Sequence, residues 1–129
     1  MIALDTNILV RYFAAEEDVD SRKAATFIEA ELSATHRGFV SAVTICEIVW
    51  VLRSRYGFAH LSQVAVIQLL LDAAQVVVEH RESVAAALES KHVDIADAII
   101  HYIGANHGCN TTMTLDKKFA RLNGVTLLA

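Results

Sequence analysis

The sequence contains no proline and only two cysteines among its 129 residues. Without proline, long linkers are not expected, and the 54% share of hydrophobic residues predicts a compact, helix-rich globule. Cys46 and Cys109 lie far apart with no partner motif, so neither a disulfide framework nor a zinc site is predicted. The length favours one domain over residues 1–129.

Long hydrophobic runs are missing as well. Apolar stretches such as residues 64–71 are too short to span a bilayer. Asp5 interrupts the apolar N-terminus before a signal-peptide core could form. We therefore expect a soluble, cytoplasmic protein without a membrane segment.

The chain also lacks an excess of positive charge. Its net charge of −4 argues superficially against a nucleic-acid substrate, because phosphate backbones are bound by Lys and Arg. Without the five negative charges of a possible metal site, however, the balance of −4 becomes +1. Net charge therefore decides little; the five acids are Asp5, Glu47, Asp94, Asp97 and Asp116.

The first informative stretch present is the N-terminus. Ile2 to Leu4 predict a short buried strand that ends at Asp5, and small polar residues then begin a helix that continues to Ala14. Ligands and catalytic groups collect at the carboxyl ends of parallel strands in open α/β sheets. Asp5 is therefore a candidate ligand residue, although a helix cap would also explain it.

The remaining chain alternates between helical and strand patterns. This alternation predicts an α/β fold with a parallel sheet and right-handed crossovers. The acids of residues 16–20 predict a solvated loop beside the next helix N-terminus. Further strands are predicted at 38–41, 76–78, 112–115 and 125–128. Helices are predicted at 21–32, about 42–56, 61–74, 83–89, from 95 to an end near 104–108, and 117–122.

One acid interrupts a predicted buried helix. This helix begins after Ser41 as N-cap, stops at Gly57 and is apolar almost all round, so we expect it to be largely buried. Glu47 would then be a buried carboxylate, which is costly unless it is paired or bound to a cation. A salt bridge to Arg11 or Arg53, or a protonated carboxyl, are the alternatives.

Two further acidic positions repeat the setting of Asp5. Asp94 has the position of a helix N-cap with Asp97 at N3, so a capping box would explain both. Asp116 directly follows a predicted strand and starts a helix, and it too could be a cap. Four carboxylates gathered at one sheet edge would instead predict a hard divalent cation, Mg²⁺ or Mn²⁺. Such a site hydrolyses phosphodiesters with an activated water and needs no Ser, Cys or His nucleophile.

The acidic stretches together resemble a known family. The sequence is similar, over nearly its whole length, to the four acidic motifs of the PIN-domain family, and more narrowly to VapC-type ribonuclease toxins of bacterial toxin–antitoxin modules. Each motif is weak alone, but the ordered set is specific. The motifs are Leu4-Asp5-Thr6-Asn7, the Glu47 that ends residues 41–47, Asp94-Ile95-Ala96-Asp97-Ala98, and Thr114-Leu115-Asp116-Lys117-Lys118-Phe119.

The resemblance implies a three-layer α/β/α sandwich with a central parallel sheet of four to five strands. It implies a Mg²⁺- or Mn²⁺-dependent endoribonuclease, a homodimer, and inhibition by a small VapB-like antitoxin whose tail enters the active site. By position, the catalytic acids would be Asp5, Glu47, Asp97 and Asp116, with Asp5, Asp97 and Asp116 as metal ligands. Supporting residues would be Thr6, Asn7, Asp94 and Thr114.

An RNA substrate needs positive charge near the acids. The candidates lie just after two of the acidic strand ends: Arg11, Lys117, Lys118 and Arg121. His101 lies four residues after Asp97 and would share its helix face, either as a ligand or general base or, the favoured interpretation, as a packing residue.

Other classes fit less well. A haloacid-dehalogenase-like phosphatase needs a second aspartate two residues after the first, where this chain has Asn7. A receiver domain needs an N-terminal acidic pair and a mid-chain phosphorylatable aspartate, which are not evident. The remaining alternative is a catalytically silent PIN-like module that binds RNA or protein.

Overall fold

The computed structural model describes residues 1–129 and divides into two units, residues 1–79 and 80–129. Six α-helices alternate with five strands, and every strand pair is parallel, so the predicted α/β class is confirmed. The single domain over residues 1–129 stays a prediction. No helix has both the length and the apolar character needed to cross a membrane.

The first unit contains a three-stranded sheet in the order β1-β2-β3. Its register pairs Ile2 with Gly38 and Gly38 with Val76. The elements are β1 (Ile2–Ala3), α1 (Thr6–Ala14), α2 (Val19–Glu31), β2 (Gly38–Val40), α3 (Ala42–Ser54), α4 (His60–Asp72) and β3 (Val76–Val78).

The second unit contains a two-stranded parallel sheet, with Thr112 opposite Val125. Its elements are α5 (Arg81–Leu88), α6 (Ile95–Asn106), β4 (Thr112–Thr114), a 3₁₀ turn (Phe119–Arg121) and β5 (Val125–Leu127). The helix predicted at 117–122 is thus a single turn, in which the N–H of Arg121 donates to the Lys118 carbonyl three residues earlier.

All five predicted strands form, but the expected single sheet of four to five strands does not. Backbone ladders join β1 to β3 in one sheet and β4 to β5 in another. Each strand is two or three residues long, so each ladder holds few hydrogen bonds. Residue patterns locate such short strands, but they do not show which strands pair.

The core of the first unit is built around α3. Ile45, Ile48 and Leu52 on this helix are fully buried, together with Ile67 of α4 and Val40 of β2. Each such side chain contributes about 1.5–3 kcal/mol when removed from water. This packing fixes the position of α3 in the unit.

Helix α3 is buried on one face only, so the expectation of a buried Glu47 is wrong. Val43 and Trp50 are 69% and 60% exposed, and Glu47 between them is exposed as well. Residues spaced i, i+4 and i+7 share one helix face, so these three residues form a solvent-facing stripe opposite the core. Glu47 is therefore an accessible carboxylate and not a buried charge.

The acidic loop before α2 is solvated, as predicted. Asp18 caps α2, with its Oδ1 accepting from the N–H of Ser21 at 2.7 Å, and both of its oxygens lie 3.2 Å from Nη1 of Arg11. The hydrogen bond from Ser21 and, to a smaller extent, the Arg11 charge lower the pKa of Asp18 below its ordinary value of 3.8.

A folded-state pKa below the unfolded value means that the Asp18 carboxylate stabilises the fold above the unfolded pKa. This contribution is lost as the pH falls through the folded pKa. We therefore expect Asp18→Asn to destabilise the protein at pH 7 and to differ little from wild type at the acid end. Urea unfolding of both proteins from pH 7 downward measures this, and a difference independent of pH would contradict it.

Candidate functional site

Three polar side chains follow the three strands of the first unit in register. The pairing that joins Ile2, Gly38 and Val76, extended by three residues, brings Asp5, Ser41 and Glu79 into one row at the carboxyl edge of the sheet. Backbone bonds from Leu4 to Phe39 and from Glu79 to Val40 continue the ladder up to this row. The edge that the sequence predicted for Asp5 therefore carries a second acid.

Thr6 connects two of the predicted catalytic acids. Its N–H donates to Oδ1 of Asp5 at 2.8 Å, and its hydroxyl donates to Oε1 of Glu47 at 3.1 Å. Thr6 is 7% exposed, whereas both carboxylates are exposed. One buried threonine thus contacts the carboxylates of both Asp5 and Glu47, and its supporting role stays a prediction.

Close backbone packing makes room for this arrangement. A Cβ at Gly38 would lie 2.6 Å from Cδ1 of Leu4, the buried residue directly before Asp5. Because β2 has glycine at this position, the side chain of Leu4 packs directly against the strand. The next residue, Asp5, is thereby held at the end of β1. The local sequence of β2 therefore contributes to the placement of Asp5.

Sequence reasoning missed Glu79. Its Oε1 accepts from the N–H of Ala42 at 2.9 Å, while Ser41 Oγ accepts from the N–H of Thr44 at 3.1 Å. Two side chains thus satisfy the first turn of α3, the helix that carries Glu47. Its position in the sequence could have identified it, because Glu79 directly follows the predicted strand at 76–78, as Asp116 directly follows the next predicted strand.

In the second unit, the predicted cap at α6 is confirmed. Oδ1 of Asp94 accepts from the N–H groups of Ala96 and Asp97, at 2.9 and 3.3 Å. Both acids are half-buried at the first turn, where the helix dipole favours negative charge. The cap accounts for Asp94, while Asp97 is placed beside it by the same turn.

Asp116 also forms the predicted cap. Its Oδ1 accepts from the N–H of Lys118 at 2.8 Å and from that of Phe119 at 3.3 Å. Its own N–H donates to Oγ1 of Thr114 at 3.0 Å, and the supporting role of Thr114 stays a prediction. At both Asp5 and Asp116 the backbone contacts use Oδ1 alone, so each exposed carboxylate retains Oδ2 for a ligand.

The remaining predicted residues have different environments. Asn7 is exposed in the first turn of α1, and its supporting role stays a prediction. Arg11 pairs with Asp18, so its charge is partly neutralised locally. The other proposed RNA-binding residues are solvent-exposed: Lys117, Lys118 and Arg121.

The donor set fits a hard divalent cation in its chemistry. The predicted ligands are carboxylates, with hydroxyl and backbone groups holding them, and Mg²⁺ and Mn²⁺ prefer such oxygen ligands. Within neither unit do three His, Cys, Asp or Glu side chains converge into a group that could hold a metal ion. Asp5 and Glu47 belong to the first unit, and Asp97 and Asp116 to the second.

Comparison with known proteins identifies the family. Residues 2–125 match the profile of the PIN domain, which is nearly the whole chain. The search of curated proteins returned no match. PIN domains are typically metal-dependent nucleases, and the PIN nucleases generally use divalent metals.

The newly identified Glu79 contact leads to a stability prediction. Glu79→Ala removes the acceptor for the Ala42 N–H, and we expect a loss of about 0.5–2 kcal/mol in the free energy of unfolding, the usual range for a helix cap. Glu79→Gln retains an acceptor oxygen and should lose less. Urea unfolding measures the stability of both variants, and Glu29→Ala, at an exposed position of α2, is the control. Equal stability of Glu79→Ala and wild type would contradict the capping role.

Proposed function

The chain belongs to the PIN-domain family, and from this membership we propose that it is a Mg²⁺- or Mn²⁺-dependent endoribonuclease of the VapC type, the toxin of a toxin–antitoxin module. The observation that carries the proposal is the family match over residues 2–125 together with all four acidic motifs in order. The local geometry supports it, because exposed carboxylates stand at strand ends and helix starts.

The proposed metal ligands are Asp5, Asp97 and Asp116, with Glu47 as the fourth catalytic acid. When bound, the divalent cation supplies the charge that activates water and stabilises the attacked phosphate. Thr6 restrains Asp5 and Glu47 by its two hydrogen bonds. Asp94 and Thr114 hold the backbone next to Asp97 and Asp116. Water adds across one P–O bond of the RNA, which leaves two shorter chains.

RNA cleavage tests this function directly. We expect purified protein to cut RNA with Mg²⁺ or Mn²⁺ and to stop in EDTA. Asp5→Asn and Asp97→Asn should each lower the rate about 100-fold or more, the scale of losing one electrostatic contributor. Asp20→Asn, an exposed acid in the first turn of α2, is the control and should cleave normally.

Two results would overturn the enzyme assignment. Cleavage that survives EDTA or both substitutions would exclude a metal nuclease built on these acids. RNA binding without any cleavage, in every metal tested, would favour the catalytically silent binding module instead.

Substrate binding is proposed to use Lys117, Lys118 and Arg121, with Arg11 as a further candidate. Lys117→Ala or Lys118→Ala should weaken RNA binding and reduce its salt dependence, because fewer counterions are released; the slope should change by about 0.7 per lost contact to single-stranded RNA. Binding measured from low to high salt checks this, with Lys23→Ala on α2 as the control. An unchanged slope would remove these lysines from the interface.

The proposed biological setting is a cytoplasmic homodimer held inactive by a VapB-like antitoxin. This part rests on the motif resemblance. Light scattering should give twice the chain mass of 14.1 kDa. Expression in cells that lack the antitoxin should stop growth, and Asp5→Asn should relieve the arrest. Normal growth with the wild-type protein expressed would count against the toxin role.

A further inference from the structure

His101 is a buried histidine at the junction of α6 and the second sheet. Its side chain is 7% exposed, although histidine is a polar residue in the last half of a mostly apolar helix. Its Nδ1 lies 2.9 Å from Oγ1 of Thr112, the first residue of β4. The ring therefore links the helix that carries Asp97 to the strand that leads to Asp116.

Gly124 shows how closely the ring is held. A Cβ at Gly124 would lie 2.9 Å from Cε1 and 3.0 Å from Nε2 of His101. Gly124 also has a φ of +92°, a backbone conformation that residues other than glycine rarely adopt. The imidazole thus occupies the space that the missing side chain of Gly124 leaves open, directly before β5.

The directions of α6 and β4 show where Asp97 and Asp116 lie relative to the His101–Thr112 contact. Helix α6 and strand β4 contact each other and are joined by only the five residues 107–111, so they run antiparallel. Asp97 lies one turn before His101, about 6 Å along the helix axis. Asp116 lies two residues beyond the end of β4. Both acids are therefore displaced in the same direction from the His101–Thr112 contact.

We propose that His101 is a positioning residue, which fixes the spacing of Asp97 and Asp116 through its contacts with Thr112 and Gly124 and so sets the metal affinity of the site. This inference rests on the proposed function, since it assumes that both acids are metal ligands. His101 neither touches the metal nor transfers a proton in this role.

Metal affinity, and not turnover, is the readout. Binding of Mn²⁺ is followed by the electron-spin-resonance signal of the free ion during titration of the intact protein. We expect His101→Leu to weaken Mn²⁺ binding about 3- to 10-fold. This is smaller than the loss of about 10- to 100-fold that follows when a direct hydrogen-bond partner of a metal ligand is changed. His101→Asn places an amide near the position of Nδ1 and should recover most of the affinity.

A matched control lies on the same helix. Nδ2 of Asn106 donates to Oγ of Ser83 at 2.7 Å, a contact that ties α6 to the unit without involving β4. Asn106→Ala should lower the melting temperature as His101→Leu does, and yet keep Mn²⁺ affinity within about twofold, because the spacing to β4 is unchanged. Thr112→Val removes the partner hydroxyl while keeping the side-chain shape. Thr112→Val should therefore weaken Mn²⁺ binding to a similar extent. It tests the same contact if His101→Leu does not fold.

The outcomes separate this inference from the proposed function. If wild-type protein binds Mn²⁺ no better than Asp97→Asn, the metal site itself is refuted. If wild type binds and Asp97→Asn does not, but His101→Leu and Thr112→Val bind like wild type, the positioning role is refuted and the nuclease proposal stands. If Asn106→Ala weakens Mn²⁺ binding as much as His101→Leu does, the positioning role is also refuted, because the loss of affinity would then follow from the lower stability of the fold.

Discussion

The structure depends on carboxylates that satisfy helix N-termini. The first N–H groups of a helix or turn have no partner within it, and acids supply one. Asp5 and Glu79, which follow strands, accept from the first turns of α1 and α3, and Asp116 accepts from Lys118 and Phe119 at the turn after β4. Asp94, which follows a loop, caps α6. The same bonds fix where these side chains lie. A cap and a metal ligand are therefore compatible roles, since Asp5 and Asp116 use one carboxylate oxygen each and retain the other.

Hydroxyl groups then restrain the acids further. Thr6 is buried and donates to Glu47, and Thr114 accepts from the backbone of Asp116. His101 extends the same pattern in the second unit by joining α6 to β4 through Thr112. Restraint by buried neighbours keeps exposed carboxylates in defined positions without burying their charge, which would cost far more than it stabilises.

Local patterns predicted most elements and caps. Strand residues at 38–41 and 76–78, the Ser41 cap and the Asp94 cap all form where the sequence placed them. Two expectations failed for a tertiary reason. The apolar character of α3 predicted a largely buried helix with a buried Glu47. Packing decides which face of an apolar helix meets the core, and Val43, Glu47 and Trp50 face solvent. Strand pairing likewise depends on contacts distant in sequence, so one expected sheet became two.

Residue type and spacing along the chain were enough to indicate the family, the α/β class and the four acidic motifs. Chain packing determined that Thr6 contacts Glu47, that Glu79 joins Asp5 at one sheet edge, and that His101 packs against Gly124. The hydrogen bond from Thr6 to Glu47 spans 41 positions, and that from Ala42 to Glu79 spans 37. His101 and Gly124 are likewise distant along the chain. Such contacts arise from chain packing, which no local pattern encodes.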